Sequence, residues 1–89
     1  MKRGEMKYYW KIAENDTSPR ETMKSRFKTR ALNLQTAIRA IHSYAKIYIC
    51  HKGELPLPVQ KMTIVQYRDF FTVDFGSKFF HGIIWNRHA

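Results

Sequence analysis

Met23-Lys24-Ser25-Arg26-Phe27-Lys28-Thr29-Arg30-Ala31-Leu32-Asn33-Leu34-Gln35-Thr36-Ala37-Ile38-Arg39-Ala40-Ile41-His42-Ser43-Tyr44-Ala45 is the stretch whose reading decides the fold. Its first half sets Lys24, Arg26, Lys28 and Arg30 at alternate positions. Successive side chains of a strand point to opposite faces, so a strand over residues 23–31 gathers all four cations on one face. The period then changes. Leu34, Ala37, Ile38, Ile41, Tyr44 and Ala45 recur every three or four residues, as on one helix stripe, and Asn33 is placed to cap it. A basic strand running into a core helix that ends near Tyr44 is the working expectation.

A second grammar runs through the same residues. Ser18-Pro19-Arg20-Glu21 spells a capping box with proline at the first helical position. From there Met23, Phe27, Ala31, Leu34, Ile38, Ile41 and Ala45 also keep helical spacing, which allows one helix over residues 19–46 that scatters the cations. Asn33, three threonines and two serines weigh against it as weak helix formers. Its length, about twice the usual helix, does so too.

Working outward, residues 7–13 are rich in strand formers, with Tyr8, Trp10 and Ile12 on the core side and Tyr9 and Lys11 opposite. Residues 15–19 form a turn by composition. Residues 46–51 alternate Ile47 and Ile49 with Tyr48 and Cys50, the pattern of a central strand. Gly53 to Pro58 breaks regular structure, since each proline lacks an N–H and restrains its predecessor. Residues 61–67 read as another strand. Residues 70–75 and 79–85 flank Gly76-Ser77 as a hairpin with a two-residue turn, a register that pairs Val73 with Phe80 and Phe71 with Gly82. The expected fold is a single α+β domain over residues 1–89. One helix packs on an antiparallel sheet of five or six strands, in the order ββαβββ(β). One such helix, roughly 10 Å across, cannot cover a sheet whose strands lie about 4.8 Å apart. The uncovered face is then either solvated or covered by a partner, which could be a second copy of the chain in a homodimer, and exposed aromatics there would be an interaction surface.

Net charge is +9, and it is unevenly spread. Residues 1–52 hold 12 Lys and Arg against 4 acids, and residues 53–89 hold 4 against 3. That asymmetry points to an anionic partner near the first half, nucleic acid first and an acidic protein surface second. A single cysteine, Cys50, excludes an internal disulfide and fits a reducing compartment. No apolar run approaches the roughly 18 residues of a membrane span, and the N-terminus lacks a signal-peptide core, so cytoplasm is the expectation.

The alternating cations Lys24, Arg26, Lys28 and Arg30 would stand about 6.6 Å apart on a strand, close to the phosphate spacing of a nucleic-acid strand, with Lys11 as a neighbour. The bland counterpart is a solvated edge strand whose charges discourage aggregation. Tyr9, Phe70, Phe79 and Trp85 are candidates for a stacking face toward bases, weighed against core or dimer contacts. No ribonucleoprotein signature is present. His42, His51, His81, His88 and Cys50 show no metal-ligand spacing, so neither metal nor cofactor is expected, and His42 is placed beside the helix stripe as a hydrogen-bonded residue. For catalysis the candidate group is Tyr67, Arg68, His81, Arg87 and His88. Its layout resembles that of small basic toxins that cut messenger RNA on the ribosome, although no nucleophile elbow, phosphate loop or paired carboxylates occur.

The basic strand followed by Asn33-Leu34-Gln35-Thr36-Ala37-Ile38-Arg39-Ala40-Ile41 resembles some small phage-encoded inhibitors, including type I anti-CRISPR proteins, over roughly residues 7–45. The resemblance implies a protein without a catalytic site that uses basic or aromatic patches to occupy nucleic-acid paths on a larger complex. Only the basic strand residues carry across. Three functional expectations follow in order: a non-catalytic inhibitor of nucleic-acid machinery, a direct DNA- or RNA-binding protein of little sequence preference, and an mRNA-cleaving toxin.

Overall fold

The computed structural model describes residues 6–24 and 29–88. In chain order they form β1 (Met6–Glu14), α1 (Pro19–Lys24), β2 (Thr29–Ala31), α2 (Leu34–His51), a 3-10 turn (Val59–Lys61), β3 (Thr63–Gln66), β4 (Phe70–Asp74) and β5 (Phe80–His88). The antiparallel sheet runs β2-β1-β5-β4-β3, so the two nine-residue strands lie side by side at its centre. The three-residue β2 forms one edge. Helix α2 carries the chain from that edge across one face to the other.

Both competing grammars of the opening stretch are partly realised, which corrects the single strand over residues 23–31. Ser18 does cap a helix: the Glu21 N–H donates to its Oγ at 3.2 Å and the Thr22 N–H to its carbonyl at 3.1 Å. That helix, α1, is only six residues long and takes in Met23 and Lys24. Arg26 and Lys28 lie outside the described residues. Arg30 is on β2, opposite Tyr9. Lys24 therefore does not share a strand with Arg30, and the expected order ββα lacks the helix between its first two strands.

The second correction concerns residues 46–51, which continue α2 rather than forming a strand. Ile47 and Ile49 alternating with Tyr48 and Cys50 satisfy a period of two, but Ala45 and Ile49 also extend the series Ala37, Ile41, all four fully buried. The helix ends only where the Lys52 N–H turns back to Cys50 and Ile49 and Gly53 takes a φ of +80°. At the other end the Asn33 side chain accepts from the Thr36 N–H at 2.8 Å. Asn33→Ala is expected to cost about 1 kcal/mol in chemical denaturation, whereas Asn33→Asp keeps the acceptor and most of the stability. Equal losses in both variants would show that the cap contributes nothing.

The third correction is the final hairpin. Val73 pairs with Gly82 and Phe71 with Ile84, two residues away from the expected register. Phe75 leaves the ladder and plugs the core, fully buried. Residues 75–79 then form a wider connection. Asp74 Oδ1 accepts from the Gly76 N–H at 2.8 Å, and Gly76 has the positive φ, +79°, that a glycine tolerates. Glu54 clamps the tip from the loop after α2, accepting from Ser77 Oγ at 2.6 Å and from the Lys78 N–H at 3.1 Å. Those two bonds, Ser77's first, hold its carboxyl below the usual carboxylate range. His42, half-buried on α2, donates from Nε2 to the Leu57 carbonyl at 2.9 Å and ties the same loop down.

The core lies between α2 and one face of the sheet, built from Trp10, Ala31, Phe71, Val73, Phe75 and Ile84 with the four buried α2 residues. Tyr8, Ile12 and Phe80 pack against it. The opposite face is not bare, because α1 rests against β5. Ile83, Ala13 and Thr22 are buried on that side, so the short helix covers part of a face for which the sequence suggested no element.

Candidate nucleic-acid interface

On that opposite face the strand register assembles an aromatic row. Tyr9 on β1 pairs with Trp85 on β5, and Trp85 pairs with Phe70 on β4. Strands in a sheet lie about 4.8 Å apart, so the three rings cross the sheet within about 10 Å. All three are half-buried. The row continues at the β3–β4 turn, where Tyr67 stacks on Phe70 with centroids 4.8 Å apart and planes 13° from parallel. Tyr67 is half exposed and was assigned only to the catalytic candidates from sequence, since nothing local marks it as Phe70's neighbour.

Cationic positions border this row. At the β2 edge the backbone of position 30 pairs with that of Tyr9. The next rung on the same face pairs Lys7 with Arg87, and the rung on the other side pairs Lys11 with Ile83. Of the basic residues selected from sequence, Lys11 lies on a rung next to the row, and position 30 pairs with Tyr9 through the backbone. Lys24 ends α1 instead. Lys7 was overlooked, although Lys7, Tyr9 and Lys11 alternate and so share a face by the rule applied to their neighbours.

Phe79 stands apart from the other three aromatics. It lies just before β5, where its carbonyl accepts from the Asn15 N–H at 2.8 Å, six residues from Trp85 and about 20 Å away at strand spacing. Its ring lies under Lys52 Nζ, 5.4 Å from the centroid, in a small acidic and basic groove with Glu14, Asp16 and Lys78.

Of the catalytic candidates, His81 lies apart from the others along the sheet. Tyr67 and Arg68 are on the β3–β4 turn, and Arg87 and His88 are at the end of β5, on the rungs beyond Trp85. His81 pairs with Ala13 at the far end of the same strand, again about 20 Å from Arg87. Its imidazole is committed to structure. Asn15 Nδ2 donates to the Ser77 carbonyl at 3.0 Å, which leaves Asn15 Oδ1 to accept from His81 Nδ1 at 2.9 Å. Nε2 then carries the lone pair and is buried without a partner.

Protonating His81 would bury an N–H with no acceptor, and desolvation holds its pKa below the ordinary imidazole value, with the Asp74 charge opposing. A depressed folded pKa means that the unfolded chain binds the proton more readily. The stabilising contribution is therefore complete above the unfolded value of about 6.5 and is lost as pH falls through it toward the folded value. Thermal melting followed from pH 8 to pH 5 (about the range over which an ordinary histidine titrates) should fall less steeply for His81→Gln than for the native chain. Parallel curves would remove His81 as the cause.

Among the described residues no three His, Cys, Asp or Glu side chains come together to hold a metal ion. No helix of the described residues is long and apolar enough to cross a membrane. Family models, curated proteins and solved structures yield no match to this chain.

Proposed function

We propose that this chain is a non-catalytic protein that binds single-stranded nucleic acid across the sheet face opposite α2. The observation that carries the reading is the rung Tyr9–Trp85–Phe70, three aromatics in register on neighbouring strands and bordered by cationic positions. Every base has a π-face, so a row of rings accepts successive bases with little sequence preference. Cations alongside neutralise the backbone. A duplex hides its bases from such a row. The net charge of +9 steers any polyanion toward the protein before contact.

Fluorescence anisotropy with single-stranded RNA, single-stranded DNA and duplex of equal length tests this. Both single strands are expected to bind more tightly than the duplex. The slope of log K against log salt should steepen by about 0.7 for each phosphate engaged. No binding to either single strand at low salt, or a preference for the duplex, overturns the proposal.

A second reading, the inhibitor that occupies a nucleic-acid path on a larger complex, draws support from a different surface. Tyr44, Ile47 and Tyr48 are each about half exposed on α2, an 18-residue helix that contains Lys46 and Arg39 and not one acidic residue. Exposed apolar side chains on a helix with basic and no acidic residues suit an acidic protein surface. Under that reading the chain binds its target protein after nuclease treatment, and charge reversal at Lys46 abolishes the association.

A further inference from the structure

A groove of about 750 Å³ opens at the Phe70 end of the aromatic row, between α1 and the β3–β4 turn. That volume falls among ordinary small-ligand sites, which run from roughly 300 to 1,000 Å³. Three kinds of group line it. Phe70 and Tyr67, stacked on each other, supply an aromatic wall at the end of the row on the sheet. Arg20 comes from α1 and Arg68 from the turn, so cations enter from both sides. Asp69 follows Arg68 in the turn and lines the same groove. Arg20, Arg68 and Asp69 are all exposed along the groove. Two exposed arginines and one exposed carboxylate thus stand around an aromatic wall.

We infer that this groove holds one nucleotide of the bound single strand, the one that runs off the sheet beyond Phe70. This deepens the nucleic-acid reading above and rests on it. The base lies against the outer face of Tyr67, whose other face stacks on Phe70. The adjoining phosphate sits between Arg20 and Arg68, whose planar guanidinium groups match phosphate oxygens. Asp69 has only acceptors to offer, and a carboxylate selects a base that presents an exocyclic amino group, as cytosine does at N4. Uracil presents a carbonyl oxygen there, which would face the carboxylate as a second acceptor. A peptide with acidic side chains meets the arginines equally well, but it leaves the aromatic wall and Asp69 without a role.

The probes are oligocytidylate and oligouridylate of matched length, titrated against the intact chain by anisotropy at several salt concentrations. The native protein is expected to favour oligocytidylate by about fivefold or more, the low end of a single base-edge contact. Asp69→Ala brings the two probes to equal affinity. The double variant Arg20→Ala/Arg68→Ala weakens both and lowers the salt slope by about 0.7 for the released phosphate. All three side chains are exposed, so melting curves should match the native one and exclude misfolding. If the double variant keeps native affinity and slope while Trp85→Ala weakens binding, no nucleotide occupies the groove and the platform stands alone. If the native chain shows no preference for oligocytidylate, or Asp69→Ala retains one, the base assignment is overturned. If the native chain binds neither probe, the groove and the platform fail together.

Discussion

Trp85→Ala should weaken binding of a single-stranded oligonucleotide by about fivefold to over a hundredfold. Truncating one stacking aromatic costs roughly 1–3 kcal/mol per base, and each 1.4 kcal/mol is tenfold in affinity. Trp85 is the middle member of the row, with Tyr9 on one side and Phe70 on the other, so its loss divides the platform. The salt slope should stay unchanged, because no cation is removed. That separates stacking from charge, since replacing Lys7 or Lys11 lowers the slope and leaves base stacking intact. Trp85→Phe keeps a ring and most of the affinity. The chain also holds a built-in control. Trp10 is buried in the core on the opposite face, so an oligonucleotide that stacks on the row quenches Trp85 emission and spares that of Trp10. Quenching that persists in Trp85→Phe, or native affinity in Trp85→Ala, would falsify the platform.

That row was only half visible in the sequence. Alternation along residues 7–13 places Tyr9 and Lys11 away from the core, and alternation along the last hairpin groups Phe70 with Trp85. Both are local statements, made within one strand or between strands joined by a turn. What joins Tyr9 to Trp85 is the pairing of β1 with β5, strands from opposite ends of the chain. No periodicity within a window reports such a contact. The same limit explains Phe79, which shares the alternation of its neighbours but belongs to a connection whose length was misjudged. Two residues of turn chemistry at Gly76-Ser77 argued for a tight hairpin. Phe75 is instead drawn into the core, and Glu54, twenty-odd residues earlier, ties the tip by hydrogen bonds to Ser77 and Lys78.

Helix α2 failed for a different reason. In residues 46–51 a period of two and a period of 3.6 fit equally well, and six residues are too few to decide between them. The series of buried positions four apart, from Ala37 to Ile49, decides it only when the window is lengthened across Tyr44. The extra turns have a functional consequence. They place Tyr48 against Phe80, centroids 6.0 Å apart, and leave Ile47 exposed beside Lys46. The patch on which the second functional reading depends therefore exists only in the helical form of this segment. In a central strand Ile47 and Ile49 would point the same way into the core.

Gly82→Ala is expected to destabilise the fold by about 1–3 kcal/mol, the usual range for overpacking a filled core, and Gly82→Val by more. A Cβ at this position would stand 2.5 Å from Ile41 Cδ1, 2.9 Å from Phe75 Cζ and 3.2 Å from Val73 Cβ. The first two atoms are side-chain ends, which elsewhere might swing aside. Here Ile41 and Phe75 are both fully buried and Val73 is 1% exposed, so neither end has free space to enter. Glycine at 82 is what lets α2 lie close on the sheet, an approach also served by the alanines at 37 and 45. The contact distances make a sharper prediction than the sign alone. Ile41→Val deletes the clashing Cδ1 and on its own costs about 0.5–1.5 kcal/mol for the lost methyl group. Combined with Gly82→Ala, it opens room for the new Cβ, and the double variant should be more stable than Gly82→Ala by itself. The coupling in such a cycle is then stabilising, of the size seen between residues in direct contact, about 0.5–3 kcal/mol. Urea denaturation of the four proteins measures it. Strict additivity would mean that the helix yields as a whole at Gly82, and that the close packing of Ile41 on the sheet carries no part of the cost.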